Sequence, residues 1–457
     1  MKKGAIYFLL IISIFLCTLS VPNYVKSNNF RSSNVEERIA YLSSDSFDGR
    51  LGGTIENAMA ANYIKNQFKE IGLEPLDGNY YQSFETNCPV LLEDSPLLAV
   101  VDSNNKIVKT YEYGVNYKES LLNFRINEIN FNQSEVHSKN TNSLYVLNSE
   151  DNSKVIFFTS IDNSLKFRSS FFDNSEGDLY INVTKETLAD INLYLDDGYS
   201  IYTYIPYEVQ EKTLNNVVGL LKGKNSSLPP LVLSAHFDHV GTDLNGTIYS
   251  GALDNASGTS FLIELAKYIK NLGTPDRDII FAAFNAEELG LKGSAAFAEK
   301  YADKLNGSEV YNFDMIGSFD GIPLCIMSGS NNTAQSPLVN ELATVMKDNK
   351  IYFNYLFQDA SDHVPFIERK IEAVTLCDND TSRIHTPNDR IEYISEDAIS
   401  RCFSVIRIFI LNHAYSENFI YSNLTSLIIL SIISIIISSA LIINLKIKKK
   451  NLKVKER

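Results

Sequence analysis

Leu231-Val232-Leu233-Ser234-Ala235-His236-Phe237-Asp238 is an apolar run that ends in an imidazole and a carboxylate. It has no polar face and is short, so it reads as a strand buried on both sides. Four similar runs surround it, at 217–221, 279–283, 310–313 and 371–376, with helical spacing between them at 258–272, 290–301 and 336–349. Buried strands alternating with helices imply an α/β fold: a mixed, mostly parallel central sheet covered by helices on both faces. In such sheets a ligand binds beyond the carboxyl ends of the strands.

The residues with chemistry fall just there. His236 and Asp238 share one face of an extended segment, so the carboxylate can orient the imidazole. Asp254 lies in Gly251-Ala252-Leu253-Asp254-Asn255-Ala256-Ser257-Gly258, a glycine-flanked loop that opens a helix. Glu287 and Glu288 follow the run 279–283, Asp314 follows 310–313, and His385 stands in Arg383-Ile384-His385-Thr386-Pro387-Asn388-Asp389 after the last run. Singly, each has a plainer reading: Asp254 or Ser257 as a helix cap, the glutamates as a solvated pair. Together they crowd acids at buried strand ends, which is unfavourable unless a cation neutralises them. Oxygen and imidazole donors without thiolate suit zinc or a similar ion.

The count fits two ions, one on His236 and Asp314, the other on Glu288 and His385, with Asp254 bridging. Two ions ~3.5–4 Å apart acidify a water and polarise a carbonyl together. Glu287 is left free to act as general base.

A chain of 457 residues has room for a catalytic domain and an accessory module. The net charge is −14, while Lys2, Lys3 and the tail from Lys446 make both ends basic. The acidic body excludes nucleic acid as a partner. The segment 1–27, apolar behind its two lysines, reads as a signal peptide or N-terminal anchor, with Val25-Lys26-Ser27 a place for cleavage. Residues 420–445 carry no charge and read as a transmembrane helix. The basic tail 446–457 is then cytoplasmic and the body lies outside the cell membrane. Five scattered cysteines with no C-x-x-C give no disulfide framework and no thiolate site. Residues 88–214, strand-like and rich in Asn, Ser and Tyr, read as an inserted β-rich module between two parts of the main domain, 28–87 and 215–416.

In this order, Ser234-Ala235-His236-Phe237-Asp238-His239-Val240-Gly241, the loop 251–258, Asn285-Ala286-Glu287-Glu288, Asn312-Phe313-Asp314, Ser361-Asp362-His363 and His385 to Asp389 resemble the zinc aminopeptidases of metallopeptidase family twenty-eight, in a membrane-anchored bacterial-type form. Residues 42–74 resemble that family's leading segment. The resemblance implies a zinc exopeptidase-like fold and two Zn2+ ions on His236, Asp254, Glu288, Asp314 and His385. It further implies Glu287 as base, Asp238 as support for His236, and a peptide substrate that loses its N-terminal residue outside the cell.

One departure stands out. Members often carry an aromatic residue, commonly Tyr, just before the last histidine, and this chain has Ile384. The ions, or another donor, must then carry more of the oxyanion's charge. His239, His363 and His413 read as structural and His137 as a surface residue. Two other readings share the fold: a carboxypeptidase or amide deacylase on a similar two-ion site, and an inactive interaction ectodomain. The full set of ligand types weighs against the second.

Overall fold

The computed structural model of the chain describes residues 2–318 and 322–455. Met1, and Glu456 and Arg457 of the expected tail, lie outside the described residues. A nine-stranded sheet runs in the order Glu74–Pro75, Tyr207–Leu221, Ile279–Phe284, Leu231–His236, Glu309–Phe313, Glu372–Asp378, Leu324–Ser328 and Phe353–Phe357, with Tyr81–Leu91 also paired to Tyr207–Leu221. The middle four strands are mutually parallel. Antiparallel pairings flank them, Tyr207–Leu221 on Ile279–Phe284 and Leu324–Ser328 on Glu372–Asp378. The strands Leu324–Ser328 and Phe353–Phe357 extend the sheet beyond the runs expected from sequence.

Alternation along the strands divides two cores. Leu231, Leu233 and Ala235 join one with Phe261, Leu265, Leu342 and Ile406, whereas Val232, Ile280 and Val310 join the other with Phe297 and Phe366. Helices Ser32–Leu42, Ile55–Ile71, Gly258–Leu272, Pro337–Asp348 and Glu396–Ala414 contribute to the first core, and Lys292–Lys300 and Val364–Glu368 to the second. Each fully buried large apolar side chain contributes ~1.5–3 kcal/mol.

Tyr81–Leu91 and Tyr207–Leu221 pair from Tyr207↔Leu91 to Val217↔Tyr81 and carry the chain into and out of the insertion, so positions 88 and 214 fall within these two strands. The insertion forms a five-stranded and a four-stranded sheet. It also holds a helix, Lys185–Asp196, where sequence suggested only strands. Thr184 caps that helix by accepting from Thr187 N, and Leu188, Ile191 and Leu195 recur at helical spacing and are buried.

Helices Lys2–Ser27 and Leu424–Lys455 are each long and apolar enough to cross a membrane. They lie against one another, and Ser13 Oγ donates to Ser434 Oγ at 2.7 Å. The second begins four residues after the expected 420, behind a short helix Phe419–Ser422.

The turn Asp45–Arg50 buries a whole arginine. Arg50 donates to the carbonyls of Phe237, Leu42, Ser250 and Gly251 at 2.6–2.8 Å, pinning the two loops that follow the strand Leu231–His236. Burial pulls its pKa down to about 10, against the pull of Asp389, Asp254, Asp238 and Glu288, and it remains a cation at neutral pH. Arg50→Met keeps the stem and strips the four carbonyls of their donors. We expect a loss of at least roughly 3 kcal/mol in denaturant unfolding; a change under ~1 kcal/mol would remove Arg50 from this role.

His413 joins the helix Glu396–Ala414 to the sheet and to the helix Pro337–Asp348. Its Nδ1 lies 2.7 Å from Glu309 and its Nε2 2.8 Å from Glu341. The hydrogen bond to Glu309 raises its pKa, burial opposes this, and Glu341 adds to the rise. A folded pKa above the unfolded value of about 6.5 means that the stabilisation is full below that value and fades as pH climbs through the folded one. His413→Ala should lower stability by about 1 kcal/mol at pH 6, with a gap that narrows toward pH 9. Urea titrations at the two pH values check this; a pH-independent gap contradicts it.

Candidate active site

The carboxyl ends of the parallel strands open on a cleft of about 530 Å³. His236 is the last residue of its strand, Asp314 directly follows Glu309–Phe313, and Glu287 and Glu288 follow Ile279–Phe284 after Asn285-Ala286. Asp254 sits in the irregular turn Ala252–Ser257, and its peptide bond to Asn255 is cis. His385 arrives on the loop after Glu372–Asp378. Ala286, Met315 and His385 have left-handed φ of 61°, 55° and 55°. Such turns cost ~1–2 kcal/mol each for residues with a side chain, and here they swing neighbouring side chains into the cleft.

Two donor groups result. The ligand atoms of His236, Asp254 and Asp314 lie within 4.8 Å of one another, as do those of His239, Asp254, Glu288 and His385. Asp254 belongs to both groups. Its Oδ1 is 3.5 Å from His236 Nε2 and its Oδ2 is 3.1 Å from His385 Nε2. His236 Nε2 is also 3.3 Å from Asp314 Oδ1, and His385 Nε2 is 3.0 Å from Glu288 Oε1. Imidazole and carboxylate donors without thiolate fit zinc or a similar first-row ion.

The electrostatics say the same. Asp238, Asp254, Glu288, Asp314, Asp362 and Asp389 are all buried. Burial opposes protonation of His385, yet Glu288 and Asp254 prevail and raise its pKa well above the usual range. His236 behaves alike under Glu287, Asp314 and Asp238. Burial lifts Glu287 well above the carboxylate range; His236 pulls against this, and Glu288, Asp362 and Asp314 add to it. Burial likewise brings Asp362 to about 7. A buried group of this kind gathers protons unless cations supply the positive charge.

A ring of backbone and hydroxyl donors fixes the acids. Asp389 accepts from Leu253 N at 2.7 Å and Asp254 N at 3.0 Å. Ser361 donates to Asp314 Oδ2 at 2.7 Å. Asp238 accepts from the backbone N–H of Glu287 and Glu288 at 3.0 and 3.1 Å, and its Oδ1 stands 3.7 Å from His236 Nδ1, beyond hydrogen-bond reach. Asp238 therefore grips the glutamate turn more directly than the imidazole. Gly258 opens its helix against Phe313 O, where an added Cβ would stand only 2.2 Å away.

His239 read as structural in sequence, yet it stands among the donors. Its Nδ1 is 3.0 Å from Glu288 Oε1 and 3.9 Å from Asp254 Oδ2. The available signal was its place three residues beyond His236 in the same loop. His363 instead faces Thr375 and the carbonyl of Gln358. Ile384 lines the cleft beside Met315, Ser170 and Phe172.

Residues 216–410 match the model of peptidase family M28. Aminopeptidase YwaD of Bacillus subtilis (strain 168) is 32% identical over 216 residues, which is 43% of this chain and 44% of that protein. A vacuolar membrane protease of Schizosaccharomyces japonicus is 34% identical over 145 residues, 31% of this chain and 16% of its own. The chain thus matches less than half the length of either relative. Among solved structures, an aminopeptidase from Aneurinibacillus sp. strain AM-1 superposes with a TM-score of 0.60 at 20% identity, covering 86% of this chain and 96% of that one. BSAP, a zinc aminopeptidase from Bacillus subtilis, gives a TM-score of 0.59 at 20% identity over 84% of this chain and 96% of that one. These likenesses show the shared fold. The match to peptidase family M28 over residues 216–410 spans all the ordered acids and imidazoles at the strand ends of that fold.

Proposed function

We propose that this chain is a two-zinc aminopeptidase anchored in the cell membrane, which releases N-terminal residues from peptides outside the cell. The observation that carries this reading is the division of Asp254, one carboxylate oxygen toward His236 and the other toward His385. His236, Asp254 and Asp314 would hold one ion; Asp254, Glu288 and His385 would hold the other. Zinc ions so held supply Lewis acidity, which acidifies water and draws electron density from a carbonyl.

The remaining steps fall to side chains. Glu287 lines the cleft without a place in either donor group, so it is free to take the proton of the attacking water and return it to the leaving amine. Asp238 holds the backbone of Glu287 and Glu288 and so aims both carboxylates. The acidic floor attracts a substrate's terminal ammonium. Residues 28–87 and 215–416 make the catalytic body and 88–214 the inserted module. Lys2 and Lys3 at one end and the lysines from Lys446 at the other favour a cytoplasmic side for both helix ends, with the body outside.

Assays of aminoacyl anilides against N-acyl amino acids test the reading. Hydrolysis of the anilides, lost to chelator and restored by zinc, is the expected result; activity on the acyl amino acids alone would favour a deacylase or carboxypeptidase. Glu287→Gln should keep its zinc and lose about 10²–10⁴-fold in kcat. Wild-type turnover in that variant would refute Glu287 as the base.

A further inference from the structure

Residues 159–178 belong to the insertion by sequence, between its strands Lys154–Phe158 and Leu179–Val183, yet Ser170, Phe172, Asp173 and Asn174 among them line the cleft. Arg168 N donates to His385 O at 2.9 Å, and Arg168 O stands 2.9 Å from His385 Nδ1. A carbonyl only accepts, so Nδ1 donates to it and Nε2 is the nitrogen left facing Asp254 and Glu288, where it would meet an ion. Phe167 lies over the His385 ring, with centroids 5.6 Å apart and planes 20° apart. Ser170 donates its hydroxyl to Glu288 Oε2, and Phe171 N donates to Glu288 O at 2.8 Å.

The segment is itself immobilised. The Arg168 side chain is fully buried, donates from Nε to Val240 O at 2.8 Å and pairs with buried Glu119. The insertion's apolar core runs without a break into Leu51, Val240, Ala286 and Leu289 of the main domain.

Among the described residues, the other half of the centre has no such tie to the insertion. Asp314 is held by Ser361, the carbonyl of His236 accepts from Thr259, and Asp254 is held by Asp389. All three supports come from the family-matched residues 216–410. The two donor groups differ: both are braced from within, the second by Asp238 at Glu288 N, but only the second is also braced by the insertion.

We propose that residues 167–171 of the insertion are a built part of the active centre, and that they set the affinity of the Glu288–His385 ion position and not of the His236–Asp314 position. Arg168 and Ser170 are positioning residues: they fix the tautomer and direction of His385 and the rotamer of Glu288. This rests on the two-zinc reading above. It also gives a role to a half-exposed phenylalanine ring, Phe167, which is packed on the imidazole of His385.

The test is zinc titration of the metal-stripped full chain in detergent, followed by calorimetry. Wild type should take up two ions in resolvable steps. Ser170→Ala and Phe167→Ala, both partly exposed and expected to fold, should each weaken one step by roughly ten- to a hundredfold and leave the other within about twofold. Ser361→Ala should weaken the opposite step. Arg168→Ala should resemble Ser170→Ala with a larger effect. Titrations like wild type in both Ser170→Ala and Phe167→Ala, equal weakening of both steps, or a wild type with a single step would each overturn the proposal. A wild type that binds two ions but leaves aminoacyl anilides intact would instead count against the aminopeptidase reading alone.

Discussion

Mutual repulsion among buried acids is the constraint that shapes this molecule. Asp238, Asp254, Glu288 and Asp314 meet at one rim of the sheet, all but excluded from water. Unpaired buried carboxylates are among the least favourable groups a fold can contain. The structure meets the problem in two ways. Backbone N–H groups and hydroxyls point at the acids, from Glu287 and Glu288 at Asp238 and from Ser361 at Asp314. His236 and His385 stand between the carboxylates, where divalent ions would complete the neutralisation.

Parallel strands make that assembly possible. Four of them run side by side in one direction, so residues far apart in sequence converge at one rim, and left-handed turns at Ala286, Met315 and His385 aim the side chains. Arg50 secures the result from beneath, since its four carbonyl partners belong to segments that would otherwise be free to shift.

Much of this was legible in sequence because the signals are local. Continuous apolar runs gave the central strands, and acids directly after them gave the rim. The glycines around Asp254 marked a tight loop; Gly258 is needed because Phe313 O lies where a side chain would start. Other parts left no local trace. Three of the four partners of Arg50 lie 187 to 201 residues away, and all are backbone carbonyls, which every residue type has. The hold of Arg168 and Phe171 on His385 and Glu288 is likewise made by main-chain atoms. His239 had an ordinary reading as a core histidine, and only the fold brings it to Glu288. The helix Lys185–Asp196 was hidden by polar residues between its three buried aliphatics.

The account stands on Asp254 joining two cation positions. Crystals of the zinc-soaked protein, with anomalous differences recorded on both sides of the zinc edge, test it most directly. The predicted result is two zinc peaks about 3.5–4 Å apart, with Asp254 Oδ1 on one and Oδ2 on the other. A single peak, or two peaks that do not share Asp254, would contradict it.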